Sequence, residues 1–106
     1  MRLGLLLGLV MAAPTVQAPL AGGWSVVERP TDDHDVRAAA VALVRHLPVK
    51  NVGLRRIESA SRQVVAGTNF RLTVRLTSGS TWRGVVWHKL NGDYVVSHMA
   101  RVRSPS

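Results

Sequence analysis

Apolar and polar residues alternate most strictly between Thr68 and Thr77. Phe70, Leu72, Val74 and Leu76 fall on one side; Asn69, Arg71, Thr73, Arg75 and Thr77 fall on the other. A period of two predicts a strand with one buried and one solvated face, as in an antiparallel sheet covered by a single layer. Thr81 to Leu90 repeats the pattern, with Trp82, Gly84, Val86, His88 and Leu90 opposed to Arg83, Val85, Trp87 and Lys89. Ser78-Gly79-Ser80 joins the two runs as a turn. Asn91-Gly92 then predicts a type I′ hairpin leading into a last strand, Asp93 to Arg103. Upstream, Val52 to Val65 reads as a longer strand with a broken phase, because Leu54 and Ile57 have opposite parity. A bulge or bend reconciles them.

A helical period governs His34 to Leu47. Val36, Ala40, Leu43 and Leu47 recur at spacings of four, three and four, and Ala39 and Val44 widen the stripe. Thr31-Asp32-Asp33 supplies N-cap candidates, Arg45 and His46 suit the C-terminal end, and Pro48 stops the helix. Before it, Trp24 to Glu28 reads as a short strand closed by Pro30. The order is therefore a short strand, one helix, then four strands joined by hairpins. The apolar stripe of the helix has one place to go, the apolar face of the sheet. This predicts an α+β domain, one helix packed across an antiparallel sheet of four to five strands.

The first residues follow another pattern. Met1-Arg2 is a short positive start, Leu3 to Ala13 is apolar, and Pro14 precedes a small-residue cleavage site at Val16-Gln17-Ala18. Residues 1–18 thus read as a secretory signal peptide, cut anywhere from 18 to 21, with residues 19–106 forming one domain. Secretion to an extracellular or periplasmic space follows, with membrane contact only through the signal before cleavage. The mature domain of about 85 to 88 residues has room for one modest core. The sequence contains no cysteine, which excludes a thiol nucleophile, a Cys-ligated metal and an iron–sulfur site.

The formal net charge is +8 and falls by one, to +7, without Arg2. Arg55, Arg56, Arg62, Arg71, Arg75, Arg83, Arg101 and Arg103 all lie in the second half. Such a surface attracts anionic partners. Because the arginines are spread singly along strands, a solvated sheet face accounts for them, and no specific nucleic-acid partner is indicated.

Candidate chemistry is sparse. His88 and His98 flank the Asn-Gly turn, and with Asp93 a metal site is conceivable, but two unrelated strand positions explain them more simply. Asp32, Asp33 and Asp35 are accounted for by capping. No carboxylate pair, phosphate loop or nucleophile elbow occurs, so the reading is of a protein that is not an enzyme and uses no cofactor. What stands out is Gln63-Val64-Val65-Ala66-Gly67. It is small, apolar and uncharged, yet falls where a hairpin must turn, a place that normally carries Asn, Asp, Gly or Ser. An apolar tip makes sense if a partner covers it. The Leu20-Ala21-Gly22-Gly23 arm and the Leu90-Asn91-Gly92 turn share this exposed, small or apolar character. In a helix-on-meander fold the two hairpin tips lie at one edge of the sheet, and the arm can join them there.

These segments make the chain resemble the cystatins, inhibitors of papain-like cysteine proteases. The family pattern Gln-x-Val-x-Gly is met by Gln63 to Gly67 and followed by a similar strand, Thr68-Asn69-Phe70-Arg71-Leu72-Thr73-Val74. Gly22 matches the glycine of the family's N-terminal arm, with Gly23-Trp24 after it, much as in plant-type members. The resemblance implies a reversible wedge inhibitor. Leu20, Ala21, Gly22 and Gly23 would lie along the non-primed subsites, and Gln63, Val64, Val65, Ala66 and Gly67 would plug the catalytic cleft. Leu90, Asn91 and Gly92 would support them. The partner would be a papain-like, cathepsin-like cysteine protease and the inhibitor a monomer, with a strand-exchanged dimer as the alternative. Two departures stand out. The family's second hairpin usually carries Pro-Trp, where this chain has Leu90-Asn91. The helix signature is only partly present in Val36 to Val41, where its aromatic residue is replaced by Ala39. The competing reading is a secreted module on the same fold that lost inhibition and binds an anionic partner through its basic sheet face.

Overall fold

The computed structural model describes residues 23–103. The predicted signal segment and Leu20, Ala21 and Gly22 lie outside the described residues. The elements are β1 (Ser25–Val26), a 3-10 turn (Pro30–Asp32), α1 (His34–His46), β2 (Leu54–Val65), β3 (Gly67–Leu76), β4 (Thr81–His88) and β5 (Tyr94–Val102). The strands form one antiparallel sheet in the order β1-β2-β3-β4-β5, with α1 packed on one face. This is the helix-on-meander architecture that the periodicities predict.

The helix starts where its cap is strongest. The Asp33 carboxylate accepts hydrogen bonds from the backbone N–H groups of Asp35 at 3.0 Å and Val36 at 3.1 Å. Two donors that the first turn leaves unpaired are thereby satisfied. Val36, Ala39, Ala40 and Leu43 are buried along α1, and Leu47 just beyond it is buried too. They meet Phe70, Leu72, Val74 and Leu76 of β3 and Trp82 and Val86 of β4 in one core. Gly84 makes the contact between layers possible. A Cβ there would lie 2.5 and 2.8 Å from the two Leu43 methyl carbons, so a side chain on β4 would push the helix away.

Several boundaries differ from the sequence expectation. The strand expected over Trp24–Glu28 is only two residues long, because Val27 leaves the ladder after one further bond to Ala60 and packs against the core. β2 does contain the expected irregularity, with register shifts between Leu54 and Arg56 and between Ile57 and Ser59. These shifts let Ile57 and Ala60, which a strict period of two would separate, share the buried face. β4 ends at His88, so Leu90 belongs to the turn and is 81% exposed.

The Asn91-Gly92 turn is not type I′. That geometry needs positive φ at both central residues, and of the pair only Gly92 has it, at +98°. The turn runs from Lys89 to Gly92, closed by the Gly92 N–H donating to the Lys89 carbonyl at 3.0 Å, with Leu90 and Asn91 central. Asn91 instead directs its amide oxygen to the Asp93 N–H at 3.0 Å. The β3–β4 turn is built the same way: the Gly79 N–H donates to the Leu76 carbonyl, and Gly79 has φ +94°. Both are tight turns followed by a left-handed glycine, a common three-residue hairpin.

Candidate functional site

Because β2–β3 and β4–β5 are both hairpins of one meander, their tips emerge at the same end of the sheet. The first tip is built by Val64, Val65, Ala66 and Gly67. Val65 is paired with Gly67, which leaves Ala66 alone at the apex. Val64 is 71% exposed, and Ala66 is exposed as well. Gln63 does not join them at the tip. It sits in the stem, where its side-chain oxygen accepts from the Asn69 amide at 3.2 Å. The second tip is Leu90, Asn91 and Gly92, all exposed.

The first tip is tied to the stem of the second hairpin. The Trp87 indole N–H donates to the Ala66 carbonyl at 2.8 Å. Gly67 has φ +94°, and a Cβ on it would collide with the His88 carbonyl and lie 3.2 Å from the Trp87 indole nitrogen. Only glycine fits here, for its conformation and for its lack of a side chain. Lys89 lies 5.5 Å over the Trp87 ring, and the rings of His88 and Tyr94 stack at 4.1 Å across the second stem. Burial, and then the nearby Asp35 carboxylate, raises the Tyr94 hydroxyl above its ordinary pKa, so it stays neutral at physiological pH.

The stem of the first hairpin is tied to the helix. Arg62 forms an ion pair with the same Asp33 carboxylate that caps α1, and its guanidinium lies 5.6 Å from the Phe70 ring centre. Partial burial would raise the Asp33 pKa. The Val36 N–H and then Arg62 outweigh it and hold the carboxyl below its ordinary value. Arg62 therefore belongs to the helix side rather than to a basic outer face. Arg56 and Arg75 are paired with Glu58, and Arg71 lies 4.2 Å over the Trp24 ring. That leaves the outer face less charged than the arginine count suggests.

Of the predicted arm, Gly23 is described. It is exposed, and no atom lies within 4 Å of a Cβ built on it. β1 runs antiparallel to β2 with Ser25 opposite Arg62, so Gly23 lies toward the Val64 end. The stacking of Trp24 on Arg71 fixes the root of the arm there. His88 faces Tyr94 while His98 pairs with Val85, so the sheet does not bring the two histidines together. Among the described residues, no cluster of three His, Asp or Glu could hold a metal.

Trp87 is the residue that sequence reasoning placed but did not use. It reads as an outward strand residue, and it is one. Its signal was an aromatic ring on the solvated face, close before a hairpin tip.

The α+β scaffold thus presents a pinned apolar first tip, an exposed second tip and the root of an arm at one edge. No protein-family model matches the chain. It is 36% identical over 85 residues to cysteine proteinase inhibitor 8 of Oryza sativa subsp. japonica, covering 69% of each chain. It is 33% identical over 94 residues to cysteine proteinase inhibitor 5 of Arabidopsis thaliana, covering 80% of this chain and 77% of that one. The chain belongs to the plant-type cystatins, a family of inhibitors rather than enzymes.

Proposed function

We propose that this protein inhibits papain-like cysteine proteases reversibly, by filling the active-site cleft with the edge formed by Gly23, Val64–Gly67 and Leu90–Gly92. In the same reading, Leu20, Ala21 and Gly22 are offered to the non-primed subsites of the protease. The observation that carries the reading is the bond from Trp87 to Ala66, which holds the exposed apolar tip in one shape before any partner arrives. Preorganisation of this kind reduces what binding costs in lost freedom. Small apolar residues such as Val64 and Ala66 enter a narrow slot with little polar desolvation. The catalytic thiol is covered and not modified, because no peptide bond is offered for attack. The protein acts as a monomer outside the cell, after loss of residues 1–18.

Leu90-Asn91 stands where the family has an aromatic anchor, so the second hairpin contributes less binding energy than the first. Replacing Val64–Gly67 by a polar loop of equal length is the experiment that tests the reading. Inhibition of papain is lost while the thermal transition persists; inhibition retained by the polar-loop variant overturns the assignment.

A further inference from the structure

The end of the molecule opposite the two tips, marked by the β3–β4 turn, carries an open groove of about 1190 Å³. Lys50 from the α1–β2 connection, Arg75, and Arg101 and Arg103 at the end of β5 line it, and no carboxylate does. Arg75 is paired with Glu58. Lys50, Arg101 and Arg103 have no ion pair among the described residues. Four of the six acids lie elsewhere. Asp32, Asp33 and Asp35 surround the helix start, which the Arg62 ion pair ties to the first hairpin, and Asp93 is in the second turn. Three cations without an ion pair among the described residues, Lys50, Arg101 and Arg103, thus share the groove.

A second observation points the same way. Trp82 lines the groove and is only 9% exposed, and its indole N–H is buried with no hydrogen-bond partner. A buried donor left unpaired is uncommon and costs about 1–3 kcal/mol. Trp82 thus contributes a mostly buried ring to the lining, beside the unpaired cations.

We infer that this groove binds an anionic polysaccharide, through sulfate or carboxylate groups spaced along the chain. The cations come from three separate segments, which suits several anionic groups better than a single ion. Single-stranded nucleic acid needs exposed rings on which bases stack, and the one aromatic in the lining is Trp82. Stable binding to a lipid surface adds an inserted apolar face to the cations, and the exposed large apolar side chain in the lining is Val49. The site is at the far end from the proposed protease-binding edge, so it goes beyond the inhibitory reading and does not depend on it.

The test is titration of the purified protein with a heparin-derived hexasaccharide at low and moderate salt. Lys50→Ser with Arg101→Ser is compared with Arg37→Ser and Arg83→Ser, a pair that removes the same charge elsewhere. All four side chains belong to exposed residues, so both variants keep the core. The groove pair weakens binding about tenfold and the control pair about twofold or less. The wild-type salt dependence is steep and flattens in the groove pair. The Trp82 indole N–H resonance moves on addition of the sugar. Equal weakening in the two pairs, an unmoved Trp82 resonance, absent binding at low salt, or tighter binding of duplex DNA overturns the inference.

Discussion

Trp87 on β4 donates its indole N–H to the carbonyl of Ala66, 21 positions earlier in the chain and at the apex of the neighbouring hairpin. One bond thereby locks the shape of the first tip and fixes its distance from the second. Replacing Trp87 by Phe keeps most of the ring and removes the donor. Stability falls by about 1 kcal/mol, the usual net worth of such a bond. Inhibition of papain weakens by about tenfold, because the tip must then be ordered on binding. A melting curve and an inhibition titration on the same sample separate the two effects. A change in stability with unaltered inhibition would leave Trp87 a purely structural residue.

Gly67→Ala acts on the same joint from the other side. The new Cβ meets the His88 carbonyl, and the φ of +94° strains any other residue. Left-handed backbone alone costs about 1–2 kcal/mol, and the collision forces the two stems apart. Inhibition drops by more than the loss of stability accounts for. Comparison with Gly92→Ala makes the distinction, since Gly92 has nearly the same φ but nothing within 4 Å of its Cβ. That variant pays for backbone strain only and retains most of its inhibition.

Restoring the aromatic anchor should tighten binding. Leu90 is the first central residue of its turn, where Pro fits well, and none of the turn's backbone bonds uses the Leu90 N–H. Leu90→Pro with Asn91→Trp loses the Asn91–Asp93 bond but adds a large ring beside the first tip. The inhibition constant falls about tenfold or more. An unchanged constant would mean that the second hairpin does not reach the protease.

The Asp33–Arg62 pair predicts an acid limb in stability. The Asp33 carboxyl has a folded pKa below its unfolded value of about 3.9. Its contribution is therefore fully present above the unfolded pKa and is lost as pH falls through the folded pKa. Asp33→Asn keeps a capping oxygen and removes the ion pair. Stability of the variant is lower at neutral pH by about 0.2–1 kcal/mol. The gap to wild type closes below about pH 4. Denaturant melts from pH 2 to 7 measure this directly; a gap that stays constant would show that ionisation of Asp33 is not coupled to folding.

The parts of this fold that a sequence makes plain are those set by local periodicity. Phe70, Leu72, Val74 and Leu76 are all buried, as their strict alternation requires. Val36, Ala40, Leu43 and Leu47 are likewise buried, as a stripe at helical spacing must be. The apolar first tip was legible for the opposite reason, because Val64 and Ala66 break the polar habit of turns. What escaped is long-range or cooperative. Nothing local says that Arg62 turns inward to Asp33, 29 positions away. The Asn91-Gly92 pair suits two kinds of turn, and the choice rests on whether Asn91 spends its side chain on the Asp93 N–H. The indole of Trp87 has the same outward phase whether it bonds to Ala66 or to water.

The central claim is that the pinned edge closes a cysteine protease cleft. The most direct measurement is titration of papain with the purified protein, using a fluorogenic peptide substrate. Reversible inhibition at submicromolar inhibitor, regained activity on dilution, and an intact inhibitor recovered from the complex are the results the account predicts. A folded sample that leaves papain fully active at tens of micromolar would contradict it.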